Sequence, residues 1–222
     1  MTIRIKVCGV TDPNAAMAAV AAGADFLGLV FAASIRGVSP DRARRLVSGC
    51  PARWVGVFVD PSIEEVSGIA STLDLAALQL HGRESPGFCR DLRSATGRPV
   101  WKALPWTGAA DSVHPYDDGQ VADAILLDTP ASLGEEGGGT GRALPWKEIA
   151  ERMPPEKRSV PLFLAGGLDS TNVRRAIDIV RPEGVDASSR LESAPGVKDP
   201  ALIRAFVTAA RVTRAGLTAR HR

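Results

Sequence analysis

The chain alternates between short apolar segments and longer stretches of helical composition. Eight apolar segments have the length and the flanking turn residues of β-strands. They are Ile3–Cys8, Phe26–Phe31, Trp54–Asp60, Ala76–Leu80, Val100–Leu104, Ala124–Asp128, Pro161–Ala165 and Gly184–Ser188. A helix-like stretch fills each gap, most clearly at Ala15–Ala22 and Val173–Val180. Eight such alternations predict an α/β fold in which a parallel sheet closes into a (β/α)8 (TIM) barrel.

Three predicted helices have a marked start. Asp12 and Ser39 each precede a proline, which is the order of a capping residue and a first helical residue. Residues 62–65 (Ser-Ile-Glu-Glu) have the sequence of a capping box. An open, doubly wound sheet is the alternative, but the dinucleotide-binding fingerprint that it normally carries is missing after the first strand. We therefore expect one barrel domain over residues 1–222, with residues 211–222 as a frayed basic C-terminal tail.

Composition argues against several classes of function. The formal net charge of +2 is too small to indicate a nucleic-acid partner. No apolar run approaches the roughly 20 residues of a membrane helix, and the N-terminus does not have the charged-then-apolar order of a leader. The three cysteines (Cys8, Cys50 and Cys89) are irregularly spaced and form no metal-binding pattern. We expect free thiols in a reducing cytosol, and hence a cytoplasmic protein without a metal site.

Side chains alternate between the two faces of a strand. In the first, fourth, sixth and eighth predicted strands one face is wholly apolar and suits packing against helices. The opposite face ends in polar residues that would point into the barrel mouth, where barrel enzymes have their active sites. These residues are Lys6 and Cys8, Gln79 and His81, Asp128, and Asp186 and Ser188.

A thiol and a carboxyl group at two strand ends suggest proton-transfer chemistry. A free cysteine is commonly only a buried apolar residue, but Cys8 lies at a strand tip with Lys6 on the same face. A nearby cation lowers the pKa of a thiol, and a thiolate can act as a base. Asp128 either caps the loop that follows it or, across the mouth from Cys8, serves as a general acid.

Three further side chains have both a structural and a ligand-binding interpretation. Asp186 either contacts a substrate or neutralises a cation. The candidate cations are Lys6, Lys102 and Arg36. His81 is either a hydrogen-bonded wall residue or a substrate contact. Arg36 lies in a loop, where arginines are usually solvated. If it turns inward, its planar fork would suit a carboxylate.

Two loops have the features of a phosphate cradle. One contains Gly166 and Gly167 after the seventh strand, and the other contains Ser188 and Ser189 after the eighth. Glycines let a ligand approach the backbone, and barrels often bind phosphate after these two strands. The glycine-rich stretch 129–144 follows the sixth strand and is long enough to be either functional or disordered.

Eight short segments form an ordered set of motifs over nearly the whole chain. They are residues 6–11 (KVCGVT), 56–60 (GVFVD), 78–82 (LQLHG), 126–128 (LLD), 138–141 (GGTG), 164–168 (LAGGL), and 184–186 (GVD) together with 192–199 (ESAPGVKD). This set resembles the phosphoribosylanthranilate isomerases. The resemblance implies a (β/α)8 barrel that performs an Amadori rearrangement in tryptophan biosynthesis. The substrate would be N-(5-phosphoribosyl)anthranilate and the product 1-(2-carboxyphenylamino)-1-deoxyribulose 5-phosphate.

The resemblance also implies roles for individual residues. The general base of the family is a cysteine that matches Cys8, and its general acid is an aspartate that matches Asp128. Its anthranilate-facing arginine matches Arg36. No cofactor or metal would be needed, because the nitrogen of the substrate itself is the electron sink. The phosphate loops of the family match Gly166, Gly167 and Ser188, and a loop closing over the site matches Gly139, Thr140 and Gly141.

Two positions depart from the family pattern. Gly37 replaces a bulkier residue after the arginine, and Arg190 replaces a small residue after the paired serines. Arg190 would either strengthen phosphate binding or point to solvent. The rival functions are another phosphate-binding barrel enzyme, such as indole-glycerol-phosphate synthase or a sugar-phosphate epimerase, and a barrel that binds a phosphate ligand without turnover. The sequence leaves open whether the chain is a monomer or a homodimer, and whether a histidine-pathway substrate is also accepted.

Overall fold

Eight parallel strands close into a barrel in the computed structural model, which describes residues 2–130 and 144–212. In chain order they are β1 (Arg4–Val7), β2 (Phe26–Val30), β3 (Trp54–Phe58), β4 (Leu75–Leu80), β5 (Val100–Pro105), β6 (Ala124–Asp128), β7 (Leu162–Leu164) and β8 (Gly184–Ala187). Each strand pairs with the next, and β1 also pairs with β8. This closed order confirms the predicted (β/α)8 fold, and the alternative of an open doubly wound sheet is wrong.

The described residues include seven α-helices around the barrel. They are α1 (Pro13–Ala22), α2 (Pro40–Gly49), α3 (Ile63–Thr72), α4 (Pro86–Thr96), α5 (Trp146–Arg152), α6 (Val173–Val180) and α7 (Pro200–Arg211). Between β8 and α7 the chain forms a short antiparallel hairpin of β9 (Glu192–Ala194) and β10 (Val197–Lys198). This hairpin was not predicted from the sequence.

The connection between β5 and β6 differs from the prediction. Two 3₁₀ turns, Ala110–Ser112 and His114–Tyr116, stand where a helix was expected. Pro115 has no amide hydrogen to donate within a continuing helix. The Asp-Asp-Gly sequence of residues 117–119 favours turns instead. The expectation that every gap holds an α-helix is therefore wrong at this place.

The helix starts follow the predicted caps. A carboxylate oxygen of Asp12 accepts a hydrogen bond from the third residue of α1 at 3.0 Å. The hydroxyl groups of Ser39 and Ser62 accept in the same way at the starts of α2 and α3. In each case a side chain satisfies an amide that has no partner within its own helix, which stabilises the first turn.

The interior of the barrel is apolar at its lower end, toward the start of the strands. The rings of Phe26, Trp101 and Phe163 meet there with centroids between 4.7 and 6.2 Å apart. Gly184 makes room for this cluster, because a Cβ atom at that position would lie 2.3 Å from the Phe163 ring. Residues of opposite parity, such as Val7 and Leu127, belong to the outer core beneath the helices. The predicted division of the strands into two faces is confirmed.

Arg211 joins the last helix to the first strands. Its guanidinium group donates to the carbonyls of Ile3 and Gly23 and to the carboxylate of Asp25. Arg211 is thus an ordered residue of α7 rather than the beginning of a frayed tail, and the tail residues from 213 onward lie outside the described ranges. Within the described part of the chain, no helix has the length and apolar character needed to cross a membrane.

Candidate active site

The thiol of Cys8 lies at the barrel mouth, directly after β1. The amide of Cys8 donates to the carbonyl of Ala187 at 2.9 Å, which fixes the thiol-bearing residue beside the end of β8. On the other side stands Gly28 of β2, where a Cβ atom would lie 2.7 Å from the Cys8 sulfur and 3.2 Å from Nζ of Lys6. Glycine at position 28 therefore provides the space for the sulfur and allows the thiol and the ammonium group to lie close together.

A buried ion pair lies beneath the thiol. Nζ of Lys6 is 3.1 Å from Oδ2 of Asp186, across the pairing of β1 with β8. Among the described residues, the other carboxylate oxygen of Asp186 has no hydrogen-bond partner. Of the three cations considered for Asp186, Lys6 is therefore its partner. Lys102 instead pairs with Glu84 at 2.8 Å.

Burial dominates the ionisation of Cys8. Burial raises the pKa of the thiol above its ordinary value of 9.0, although the Lys6 ammonium group, which is hydrogen-bonded to the sulfur, acts in the opposite direction. The prediction that Lys6 gives Cys8 a lowered pKa is therefore wrong, because the cost of burying a thiolate exceeds the attraction of one cation. Burial also opposes the charge on Lys6, but Asp186 and Cys8 together raise the pKa of Lys6, so that its amine stays protonated.

Asp128 ends β6 and shares its carboxylate between two neighbours. Its Oδ1 accepts from the amide of Thr129 at 2.7 Å, which is the loop-capping contact considered from the sequence. Its Oδ2 lies 3.5 Å from Nε2 of His81, at the end of β4. The side-chain amide of Gln79 lies 3.3 Å from the other ring nitrogen of His81. With that amide as donor, the ring hydrogen of His81 is on Nε2 and points toward Asp128.

Charged groups on each side of the mouth change the pKa values of groups on the other side. Burial raises the pKa of Asp186, and the negative charge of Asp128 adds to that rise. Desolvation lowers the pKa of His81 and the positive charge of Lys6 lowers it further, while the negative charge of Asp128 acts in the opposite direction. The groups around Cys8 and those around Asp128 lie close enough to influence each other, so they form one polar cluster.

Arg36 turns inward from the loop between β2 and α2. Its side chain is only 12% exposed, and a Cβ atom on Gly9 would lie 2.7 Å from its Cδ. The left-handed φ of +71° at Gly9 likewise suits glycine. The guanidinium group makes two hydrogen bonds to Glu192, at 2.7 and 2.9 Å. The interpretation of Arg36 as a solvated loop arginine is therefore wrong.

The local backbone explains why glycine occupies position 37. Its amide donates to the carbonyl of Ser34 at 2.9 Å and closes the turn that carries Arg36. A Cβ atom at position 37 would lie 2.8 Å from the carbonyl oxygen of Ala32 and 2.9 Å from that of Ser34. In this chain the turn is therefore too tight for a bulkier residue.

The candidate phosphate loops lie at the same end of the barrel. Gly166 and Gly167 both have left-handed φ angles, +75° and +64°, and a Cβ atom on Gly166 would lie 3.2 Å from Oδ1 of Asp128. Ser188 donates its hydroxyl hydrogen to the carbonyl of Cys8 at 3.1 Å. Ser189 begins the 3₁₀ turn that follows, and Arg190 within that turn is exposed. The three residues assigned to the closing loop, Gly139, Thr140 and Gly141, lie outside the described residues.

Two charged residues of the hairpin were missed as site residues. Glu192 and Lys198 are buried beside Arg36, and their Oε1 and Nζ atoms lie 2.5 Å apart. The Pro195-Gly196 pair between them is a typical turn signal. It would have predicted the hairpin, although not the direction of its side chains.

Together these residues define a class of protein: a barrel enzyme with a thiol, a carboxyl group and an imidazole at the mouth. In residues 2–130 and 144–212, no group of three or more His, Cys, Asp or Glu side chains is arranged to hold a metal ion. That the chemistry needs neither metal nor cofactor remains a prediction.

Comparison with known proteins narrows this class. The profile of the N-(5'-phosphoribosyl)anthranilate (PRA) isomerase family matches residues 5–209. The N-(5'-phosphoribosyl)anthranilate isomerase of Desulforudis audaxviator is 45% identical over 209 residues, which are 93% of this chain and 97% of that protein. The crystal structure of phosphoribosyl anthranilate isomerase from Thermotoga maritima is 38% identical, with a TM-score of 0.82, and the match covers 94% of this chain and 98% of that one.

A second solved structure is a phosphoribosyl anthranilate isomerase in complex with reduced 1-(o-carboxyphenylamino)-1-deoxyribulose 5-phosphate. It is 36% identical with a TM-score of 0.79, and the match covers 94% of this chain and 98% of that one. The chain belongs to the phosphoribosylanthranilate isomerase family, as its motifs predicted. It is an isomerase of tryptophan biosynthesis, and the alternatives of a synthase, an epimerase or a barrel without turnover are wrong.

Proposed function

We propose that this chain converts N-(5'-phosphoribosyl)anthranilate into 1-(2-carboxyphenylamino)-1-deoxyribulose 5-phosphate, with Cys8 as general base and Asp128 as general acid. The observation that carries the proposal is the position of both groups at the mouth, at the ends of β1 and β6. Family membership and the product analogue bound by a similar enzyme support the choice of substrate.

Asp128 begins the reaction by giving a proton to the ring oxygen of the furanose. The ring opens, and the nitrogen of the anthranilate becomes the iminium of a Schiff base. The carboxylate that remains on Asp128 is stabilised by the amide of Thr129 and by the Nε2 hydrogen of His81. These donors are in place before the negative charge appears, so little reorganisation accompanies the step.

Cys8 then removes the proton from C2′ of the open-chain Schiff base. The electrons of the broken C–H bond move toward the nitrogen, and the resulting enolamine tautomerises to the ketone. The thiolate is disfavoured by burial, so the neighbouring ammonium group of Lys6 is needed to form it near neutral pH. Asp186 holds that ammonium group beneath the sulfur.

The remaining assignments position the substrate. Arg36 faces the carboxylate of the anthranilate, and the phosphate lies at the two candidate loops, which contain Gly166, Gly167, Ser188 and Ser189. His81 and Asp186 contact the sugar between these ends. A substrate held at both anionic ends reacts from an aligned conformation, which can contribute several kcal/mol to catalysis. Closure of the loop containing Gly139, Thr140 and Gly141 belongs to the same proposal.

The first test is turnover of N-(5'-phosphoribosyl)anthranilate by the purified protein, followed through the loss of substrate fluorescence. We expect turnover by the unmodified chain and its nearly complete loss in Cys8→Ser, whose hydroxyl is a far weaker acid than a thiol. Circular dichroism of the variant should match that of the unmodified protein. Substantial turnover by a folded Cys8→Ser protein would contradict the assignment of the base.

The proposal also includes the cellular location and the oligomeric state of the protein. The chain is expected to act in the cytoplasm on a small phosphorylated molecule, without a nucleic-acid or membrane partner, as a monomer or a homodimer. Sedimentation of the purified protein would distinguish the two assembly states.

A further inference from the structure

The hairpin between β8 and α7 buries a carboxylate that holds two cations. Oε1 of Glu192 accepts from Nε of Arg36 at 2.7 Å and from Nζ of Lys198 at 2.5 Å. Oε2 accepts from Nη2 of Arg36 at 2.9 Å and from the amide of Gly196 at 3.0 Å. The side chain of Glu192 is 4% exposed and that of Lys198 is fully buried. Four donors from three residues therefore fix this carboxylate.

The same network reaches the base and one phosphate loop. Nζ of Lys198 donates to the carbonyl of Ser188 at 3.2 Å and lies 3.3 Å from its hydroxyl oxygen. The hydroxyl of Ser188 in turn donates to the carbonyl of Cys8 at 3.1 Å. The stem of Arg36 packs on Gly9, the residue after Cys8. Glu192 thus connects the loop after β2, the segment after β8 and the end of β1.

The bonds from Glu192 fix the direction of the Arg36 fork. A guanidinium group is planar and carries donors along more than one edge. Glu192 takes the Nε–Nη2 edge, so the Nη1 edge is turned away from it. A carboxylate on a ligand would meet this second edge. With two cations and one anion, the cluster keeps a net positive charge that suits such a ligand.

We infer that Glu192 is a positioning residue, which presets Arg36 so that its second edge faces the carboxylate of the substrate. The inference rests on the proposed function, because it takes Arg36 as the contact of the anthranilate carboxylate. Glu192 itself touches no reacting atom. Burial opposes its charge, but the hydrogen bonds from Arg36 and Lys198 hold the pKa of Glu192 below its ordinary value.

The test compares two ligands on two proteins. One ligand is reduced 1-(2-carboxyphenylamino)-1-deoxyribulose 5-phosphate, and the other is the same compound with a plain phenyl group. We expect the unmodified protein to bind the carboxylated ligand more tightly by roughly tenfold or more, as for a hydrogen bond between charged groups. In Glu192→Gln this preference should fall to about threefold or less, while the phenyl ligand keeps its affinity within the same factor.

Two further variants separate positioning from stability. The double variant of Glu192→Gln with Lys198→Met removes one negative and one positive charge. The net charge of the cluster is then that of the unmodified protein, but Arg36 still lacks the carboxylate that accepts from its Nε and Nη2 atoms. It should fold at least as well as the single variant and still lack the carboxylate preference. Glu84→Gln is the matched control, because Glu84 also pairs with a buried lysine, Lys102, but within the described residues neither member of that pair has a hydrogen bond or ion pair to Arg36. It should keep the preference.

Each contrary outcome has its own meaning. An equal loss of affinity for both ligands would make Glu192 merely structural and overturn the inference. An unchanged or larger preference in Glu192→Gln would also overturn it, and a larger one would show that Glu192 competes with the ligand for Arg36. Absence of turnover in the unmodified protein would overturn the proposed function, and the inference with it. If the unmodified protein turns over the substrate but Glu192→Gln shows an equal loss of affinity, or an unchanged or larger preference, the inference fails and the proposed function stands.

Discussion

The two ends of the barrel interior are built from the same strands but in opposite ways. The lower end is an apolar plug of Phe26, Trp101 and Phe163. The mouth, toward the other end of the strands, contains a thiol, an ion pair and a carboxylate. Among the described residues, Gln79 and Asp186 there each have a buried oxygen without a hydrogen-bond partner. The first arrangement stabilises the fold, whereas the second is unfavourable for stability and useful for chemistry.

The magnitudes support this division. A buried polar atom without a partner costs about 1–3 kcal/mol, while each buried aromatic ring contributes apolar area and, in pairs, about 0.5–1.5 kcal/mol more. The lower end therefore adds to the stability of the fold, whereas the mouth reduces it. Substitutions in the mouth should mainly change activity, and substitutions in the plug should mainly change stability.

The largest effect is expected at Asp128. Asp128→Asn keeps the shape of the side chain but removes the transferable proton, so kcat should fall by roughly 100- to 10,000-fold, the usual contribution of a general acid. Binding of the reduced product analogue, measured by calorimetry, should change little. If kcat of the variant stays within a few-fold of normal, the acid is another group.

A change in the plug should have the opposite profile. Phe163→Ala removes a fully buried ring and should lower the free energy of unfolding by about 3–5 kcal/mol, measured by urea denaturation. Turnover per folded molecule should stay near normal, because Phe163 does not reach the mouth. A large loss of kcat in molecules that remain folded would show that the two ends are not separable.

The smallest effect is a shift in pH dependence. Cys8 acts as a base only when ionised, and burial raises its pKa above 9.0, so the thiolate absorbance that distinguishes the unmodified protein from Cys8→Ser should rise with pH only above that value. Replacing the pair beneath it, by Lys6→Met with Asp186→Asn, removes the stronger attraction along with the weaker repulsion. The rise should then move to higher pH, with about tenfold less thiolate at neutral pH for each unit moved.

That double variant also separates charge from packing. Both members of the ion pair are neutral in it, so no buried charge is left without a partner. Its thermal stability should stay close to that of the unmodified protein. A pH profile that coincides with the original one would mean that Lys6 does not stabilise the thiolate.

Local rules predicted most of the fold. All eight barrel strands were predicted, because apolar runs between turn residues are a short-range signal. Strand parity placed Cys8, Asp128 and Asp186 on the inner face for the same reason. The partners of Arg36 could not be predicted in this way, since Glu192 is 156 positions further along the chain. Their meeting depends on how the hairpin packs against the loop after β2.

The ionisation of the thiol was likewise beyond local rules. Lys6 is visible two positions before Cys8 and indicates a lowered pKa, but the opposing effect of burial arises only when the barrel closes. The 3₁₀ turns after β5 are a different case, because the proline and the acidic turn residues were visible in the sequence. There the expected repeat of strand and helix was given more weight than the residues themselves.

Gly28 offers a means of stopping the reaction at an early stage. A single methyl group at that position would need the volume held by the sulfur, and the Cα atom of Cys8 would lie only 3.1 Å from it. The sulfur would have to rotate away from its present position, while Arg36 and the two candidate phosphate loops, which are the proposed contacts of the anionic ends of the substrate, are not displaced. On the proposed mechanism, the Gly28→Ala protein would therefore bind the substrate without converting it. Such a variant would suit crystallisation with the unreacted substrate.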